Sequence, residues 1–324
     1  MLNDTVLSVV APVHNEQESV DELVQRVVQG CRSLDVPFEF LIVNDGSRDA
    51  TKERLTALSR KTPELRVLDL FRNFGHMPAL SAGVALAKGK AVVVMDGDLQ
   101  DPPELIPKLF SQWRAGADVV YGLRTQREEG LWERGATHLF YWLLKQITET
   151  PIPPQAGTFC LMDRRVVDIL NRMPERNRFF AGLRAWVGGV QSFVTYTRPA
   201  RAHGKSRVGK RRLFRLARIA LLSFSKVPLR YASLFSLLCG LGLFLVGLTA
   251  IGIRLFTRLA IPGWATYTAL LGVMGFVQSL VLAAISEYVA IIFDEVKARP
   301  LFLVREEIVQ GKSVPATHLE ERKW

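Results

Sequence analysis

The chain has few of the residues that build an extracellular or thiolate-metal protein. It carries three cysteines in 324 residues, Cys31, Cys160 and Cys239. They are odd in number, far apart and without paired metal-ligand spacing. A disulfide framework and a zinc-thiolate centre are therefore excluded, and reduced thiols in a cytosol-facing protein are expected. No cleavable signal sequence is expected either, because the apolar run near the N-terminus, Val6–Val13, is too short for one. Internal repeats and low-complexity tracts are also missing.

Two further absences are local. Between Arg201 and Arg230 there is no Asp or Glu, but there are ten Lys and Arg. The whole chain has a net charge of +11, so this block holds nearly all of it. From Tyr231 to Ile253 there is no charged residue, and Leu259 to Ser286 is a second uncharged run that Glu287 to Phe293 extends. Runs of this length and apolarity are expected to be two transmembrane helices. The basic excess before the first run, with Lys297, Arg299 and Arg305 after the second, places both chain ends in the cytoplasm and the tip near Pro262 and Gly263 outside. Trp264 and Tyr267 suit that outer interface.

Within the basic block Leu213, Leu216, Ala217, Ala220, Leu221 and Phe224 share one helical face, and Arg211, Arg212, Arg215 and Arg218 another. This pattern predicts an amphipathic helix in the headgroup layer. No nucleic-acid recognition motif accompanies it, so nucleic acid is not an expected partner.

What remains is an alternating α/β pattern. Strands are expected at Leu7–Pro12, Phe38–Asn44, Arg66–Leu70, Ala91–Met95 and Asp118–Tyr121, and helices at Thr51–Arg60, Met77–Ala87 and Pro103–Ala115. Ser19 and Glu22 form a capping-box pattern before the first helix. Such alternation predicts a mainly parallel sheet with helices on both faces, and ligands beyond the carboxyl ends of its strands. The expected organisation is a catalytic domain at 1–200, a basic juxtamembrane segment at 201–230, a transmembrane hairpin at 231–293 and a cytoplasmic tail at 294–324. Residues after about Glu306 read as polar and poorly packed.

The chemistry collects at the expected strand ends. Val92-Val93-Val94-Met95-Asp96-Gly97-Asp98-Leu99-Gln100-Asp101-Pro102-Pro103 ends an apolar strand in two carboxylates one residue apart. Carboxylates alternating past a strand end suit a divalent cation such as Mg²⁺ or Mn²⁺, with Gln100 adding an amide oxygen. Gly97 allows close approach to the backbone. A solvated acidic turn is the plain alternative; the position between an apolar strand and a Pro-initiated helix favours the metal. Pro12-Val13-His14-Asn15-Glu16 follows the first strand and Asp45-Gly46-Ser47 the second. Asp45 reads as an acceptor for a base amide or ribose hydroxyl, or as an ordinary Asx turn.

With these motifs the whole chain resembles family 2 inverting glycosyltransferases of the GT-A, Rossmann-like fold. Within them it is similar to polyisoprenyl-phosphate glycosyltransferases such as dolichol-phosphate mannose synthase and bacterial undecaprenyl-phosphate glucosyltransferases. Asp96 to Glu104 is the most specific part. The resemblance implies that Pro12, Glu16, Asp45, Asp96, Gly97 and Asp98 bind the nucleotide-sugar, that Asp96, Asp98 and Gln100 hold the metal, and that Arg124, Arg201 and Arg207 meet phosphates. It implies a nucleotide-sugar donor, UDP-glucose first and GDP-mannose or another UDP-sugar as alternatives. It also implies a polyisoprenyl phosphate acceptor at the inner face of a cell membrane, with Asp98 or Asp101 orienting it. The chain departs from relatives at Thr158 and Cys160, where Asp and Arg are usual, at Arg207, where Lys is frequent, and at His14, where Tyr occurs. A processive synthase would need more spans and a Gln-x-x-Arg-Trp-type motif. A scaffold with an inactive transferase domain would not need Asp96, Asp98 and Gln100. Small residues at Gly240, Gly242, Gly247 and Gly252 favour a homo-oligomer.

Overall fold

The structure, a computed structural model, describes residues 5–124, 156–176, 178, 180–196 and 263–315, with scattered positions between 234 and 256. It divides into two units. One holds a nine-stranded sheet; the other holds a long apolar helix.

The sheet is built from β1 (Leu7–Val13), β2 (Phe38–Asn44), β3 (Leu65–Leu70), β4 (Ala91–Val94), β5 (Val119–Arg124), β6 (Ala156–Asp163), β7 (Gln191–Tyr196), β8 (Val304–Val309) and β9 (Lys312–Pro315). Their order across the sheet is β7-β5-β6-β4-β1-β2-β3-β8-β9. β4, β1, β2 and β3 are parallel neighbours, with Val10 facing both Leu41 and Val94. Helices cover both faces of these strands, so every residue of β1 and β4 is buried. That is why they read as apolar runs, broken only by Ser8 in β1, rather than as alternating ones.

The expectation of a mainly parallel sheet is corrected on both flanks. β6 enters antiparallel between β4 and β5, and β8 lies antiparallel on β3 with β9 antiparallel on β8. The sheet is mixed. The second correction concerns the residues after Glu306. Glu307 and Ile308 are buried in β8, and Lys312–Pro315 form an exposed edge strand, β9; residues 316–324 lie outside the described residues. Arg66 of β3 ion-pairs with Glu307 at 2.6 Å and with Glu39, all three side chains being nearly or fully buried.

The helices are α1 (Val20–Arg32), α2 (Thr51–Lys61), α3 (His76–Leu86), α4 (Ile106–Arg114, preceded by a 3-10 turn at Pro103–Leu105), α5 (Arg164–Arg172), α6 (Phe180–Val187) and α7 (Trp264–Val296). α1 turns Val20, Leu23, Val24, Val27, Val28 and Cys31 inward, the spacing of one helical face. Burial pushes the Cys31 thiol up to about 12, as fits a packing residue rather than a nucleophile. Ser19 is the N-cap of α1, but the expected capping box does not form. Its hydroxyl instead donates to the Glu16 carboxylate at 2.8 Å.

In the second unit, Leu270–Phe293 of α7 is long and apolar enough to cross a membrane, and little of it is buried within the protein. It is the one such helix among the described residues. The other expected span, 231–253, and the basic segment 201–230 lie largely or wholly outside them.

Candidate active site

The chain runs β1, β2, β3 in one direction across the sheet and then returns to lay β4 on the other side of β1. The gap between the carboxyl ends of β1 and β4 is the switch point at which open α/β sheets bind ligands. Pro12 stands on one side of that gap and Asp96, Gly97 and Asp98 on the other. The two sides touch: a Cβ on Gly97 would lie 2.6 Å from the Pro12 carbonyl oxygen and from Val13 Cγ1. Glycine is required here by the approach of β1 itself. Asp96 and Asp98 flank this point and are half-buried.

Their loop is held from beneath by Asp101. One Asp101 oxygen accepts from the Asp96 backbone amide at 3.2 Å, and the other accepts from the Tyr196 hydroxyl at 2.6 Å. Asp101 is fully buried. This corrects its reading as a group that orients an acceptor; it positions Asp96. Asp98 accepts from the Gln100 backbone amide at 3.2 Å, which curls the loop back on itself at Leu99, where φ is +60°. The Gln100 backbone is thus at the site.

The neighbouring wall comes from the ends of β1 and β2. Asn15 N donates to Ser47 Oγ at 2.9 Å, Arg48 N to Asn15 Oδ1 at 2.9 Å, and Glu16 N to Thr51 Oγ1 at 3.0 Å. His14 Nδ1 lies 2.9 Å from the Asp45 carbonyl oxygen. Asp45 is buried and accepts from the amides of Phe74 and Gly75 at 2.7 and 2.9 Å. It therefore ties the β2 end to the turn before α3, where Gly75 has φ +101°. Each carboxylate oxygen keeps a second lone pair for a ligand.

That turn delivers a residue that the sequence reading missed. His76, the first residue of α3, puts Nε2 3.3 Å from Asp96 Oδ1. Its only sequence signal is its place just after a glycine at a strand end. Arg124 closes β5 on the same edge of the sheet, in register with Tyr196. Arg201 and Arg207 lie outside the described residues.

Oxygen-rich carboxylates at Asp96 and Asp98 suit a hard divalent cation. Among the described residues no group of three or more His, Cys, Asp and Glu makes a closed metal cage. An open pair fits the manner in which Mg²⁺ is held, by one or two carboxylates with substrate phosphates completing the shell.

The mixed sheet, with its switch-point crevice and paired carboxylates, has the Rossmann-like GT-A fold. Residues 8–170 match glycosyl transferase family 2, and the chain belongs to that family. The protein is a glycosyltransferase. It is 39% identical over 308 residues to an uncharacterised glycosyltransferase of Synechocystis, covering 93% of this chain and 95% of that one. It is 36% identical over 301 residues to the bactoprenol glucosyl transferase of Shigella phage SfII, covering 93% and 97%. Among solved structures, glucosyl-3-phosphoglycerate synthase of Mycobacterium tuberculosis with Mn²⁺, UDP-glucose and glycerol 3-phosphate is similar at TM-score 0.47 and 21% identity, over 68% of this chain and 80% of that one.

Proposed function

We propose that this enzyme transfers a sugar, glucose from UDP-glucose in the first instance, to a polyisoprenyl phosphate at the cytoplasmic face of a membrane. The observation that carries the reading is the Asp96–Asp98 pair at the β1–β4 switch point of a chain that continues into a membrane-length helix. Similarity to a bactoprenol glucosyl transferase along nearly the whole length supports the acceptor and the sugar.

Asp96 and Asp98 are the residues that would hold Mg²⁺ or Mn²⁺, with Gln100 as a third donor. Bound there, the ion would supply positive charge to the departing nucleotide diphosphate. The protein's own part is mostly positioning. Pro12, Glu16 and Asp45, in loops cross-linked by side chains, form a preorganised wall for the nucleotide. Arg124, Arg201 and Arg207 are assigned to phosphates, where guanidinium forks pair with two oxygens at once. The acceptor phosphate is already an anion at neutral pH. It can attack the anomeric carbon without a strong base, which makes neutral Thr158 compatible with catalysis. In-line attack inverts that carbon. Copies of the enzyme are expected to associate through the small-residue face of the first apolar run.

The test is transfer of radiolabel from a panel of nucleotide-sugars into organic-extractable undecaprenyl phosphate. It is run with Mg²⁺ or Mn²⁺, with chelator, and with Asp98→Ala. Label from one donor should enter lipid and fall on the order of a hundredfold or more with chelator or with the substitution. Folded protein that transfers from no donor would overturn the reading and leave a scaffold.

A further inference from the structure

Arg184 of α6 has no solvent exposure and is among the largest fully buried side chains of the protein. Its Nη1 donates to the Thr158 carbonyl at 3.1 Å and to Cys160 Sγ, and its Nη2 to the Gly157 carbonyl at 2.7 Å. None of these acceptors is a carboxylate, and burial pushes the Cys160 thiol up, against the pull of the guanidinium. Nε has no partner. Nor has the hydroxyl of buried Tyr121, whose ring centre lies 5.2 Å from the Arg184 guanidinium carbon. No carboxylate among the described residues ion-pairs with Arg184. Asp101 is felt electrostatically at Cys160, so its negative charge reaches the same pocket, but it forms no ion pair with Arg184; its oxygens accept from the Asp96 amide and the Tyr196 hydroxyl.

A guanidinium does not shed its proton in a protein, so burial cannot neutralise it. An uncompensated buried charge is costly, and such a charge persists where something else balances it. Its location says what. β6 runs antiparallel beside β4 with Cys160 opposite Val94. The start of β6, at Gly157 and Thr158, is therefore beside the point where the chain leaves β4 for Asp96. Two unpartnered polar atoms and one unpaired cation thus sit behind the strand that borders the carboxylate pair.

We propose that Arg184 is a positioning residue for a substrate phosphate. It clamps the first residues of β6 against the Asp96–Asp98 edge and supplies positive potential from behind the strand, and its charge is balanced when the phosphate-bearing substrate arrives. The strand itself is neutral at Thr158 and Cys160, and the cation comes from the neighbouring helix α6. The inference rests on the transferase reading. The chemistry recognised is a phosphate, either of the donor diphosphate or of the acceptor monoester.

The experiment compares the full chain with Arg184→Met and Arg184→Lys in detergent or lipid discs. It measures thermal melting, calorimetric binding of UDP and of inorganic pyrophosphate with Mn²⁺, and KM and kcat with polyisoprenyl phosphate. Arg184→Met should melt within a few degrees of the parent, because the hydrogen bonds lost at Gly157 and Thr158 are offset by removal of a buried charge that has no ion-pair partner. Its affinity for the phosphate ligand should fall about tenfold, the scale of one charge acting through an effective dielectric near 20. Arg184→Lys should keep most of that affinity. A loss in the UDP and pyrophosphate arms assigns the donor diphosphate; a loss confined to the KM of the lipid assigns the acceptor. An Arg184→Met protein that melts well below the parent, while its folded fraction binds and turns over normally, overturns the proposal. If it both melts low and binds weakly, Arg184→Lys decides. Recovered affinity with the low melting point retained supports the proposal, and no recovery overturns it. The pyrophosphate and UDP arms read this site even if the parent transfers no sugar to lipid, so failure of the transferase reading would be seen separately.

Discussion

The carboxylates that matter were legible one by one because each stands where a buried strand meets solvent. Asp45, Asp96 and Asp98 follow apolar runs, and at that junction a charge is either a turn or a ligand. The side chains that set their geometry were not legible. Tyr196 reaches Asp101 across 95 positions, and His76 reaches Asp96 across 20, distances at which no local pattern survives. Gly97 was legible as glycine but for another reason. The sequence suggests room for a ligand, whereas the structure gives the space to the Pro12 carbonyl. Gly97→Ala should therefore cost about 1–3 kcal/mol in urea denaturation by overpacking. A change below about 0.5 kcal/mol, within the usual range of surface substitutions, would show that β1 yields freely. Tyr196→Phe should cost about 1–3 kcal/mol by leaving buried Asp101 short of a donor. It should also lower kcat, since Asp101, no longer fixed from the Tyr196 side, would position the Asp96 amide less firmly. A variant with parent stability and parent kcat would show that Asp101 needs no help from the phenol.

Elements differed in how openly they declared themselves. β2 was bounded to the residue, because a strand covered on both faces is a largely apolar run, interrupted here only by Glu39, and ended by a turn. β6, α5, α6 and β7 were not read at all; each is short, and Gly157 and Gly182 interrupt β6 and α6. β8 was misread because its charges look solvated: Arg305, Glu306 and Glu307 stand in a row. Yet Glu307 meets buried Arg66, and Glu306 pairs with Lys52, which also reaches Asp69 at 2.8 Å. Asp69 in turn accepts from Asn44, the residue before Asp45, at 2.7 Å. The Lys52 hydrogen bond holds the Glu306 carboxyl below its ordinary value of 4.5. Its stabilising share is thus complete above that value and lost as pH falls through the lowered one. Hydrogen exchange at the Val304–Val309 amides should accelerate relative to β1 as pH falls below 4.5, and Lys52→Met should abolish the difference. Equal acceleration in β1 and β8 would mean that the pair does not anchor the strand.

For the whole molecule, the length and apolarity of α7 are decisive. Leu282, near the middle of its apolar stretch, is 62% exposed, as suits a side chain facing lipid. Leu282→Arg should cost about 2.5–3.5 kcal/mol of insertion free energy and shift protein from the membrane pellet to the carbonate wash. A parent protein that washes off completely would remove the membrane from the account. The sheet adds a consequence about time. β3 is left with an open edge until β8 arrives, and β8 is encoded after α7. A ribosome must deliver the apolar helix before the strand that finishes the sheet. During synthesis the sheet domain waits with an unpaired strand edge, the kind of surface on which chains stick to one another. On the proposed membrane reading, maturation of that domain is scheduled behind delivery of α7 to lipid, and a cell short of insertion capacity would accumulate this enzyme as aggregate rather than as working catalyst.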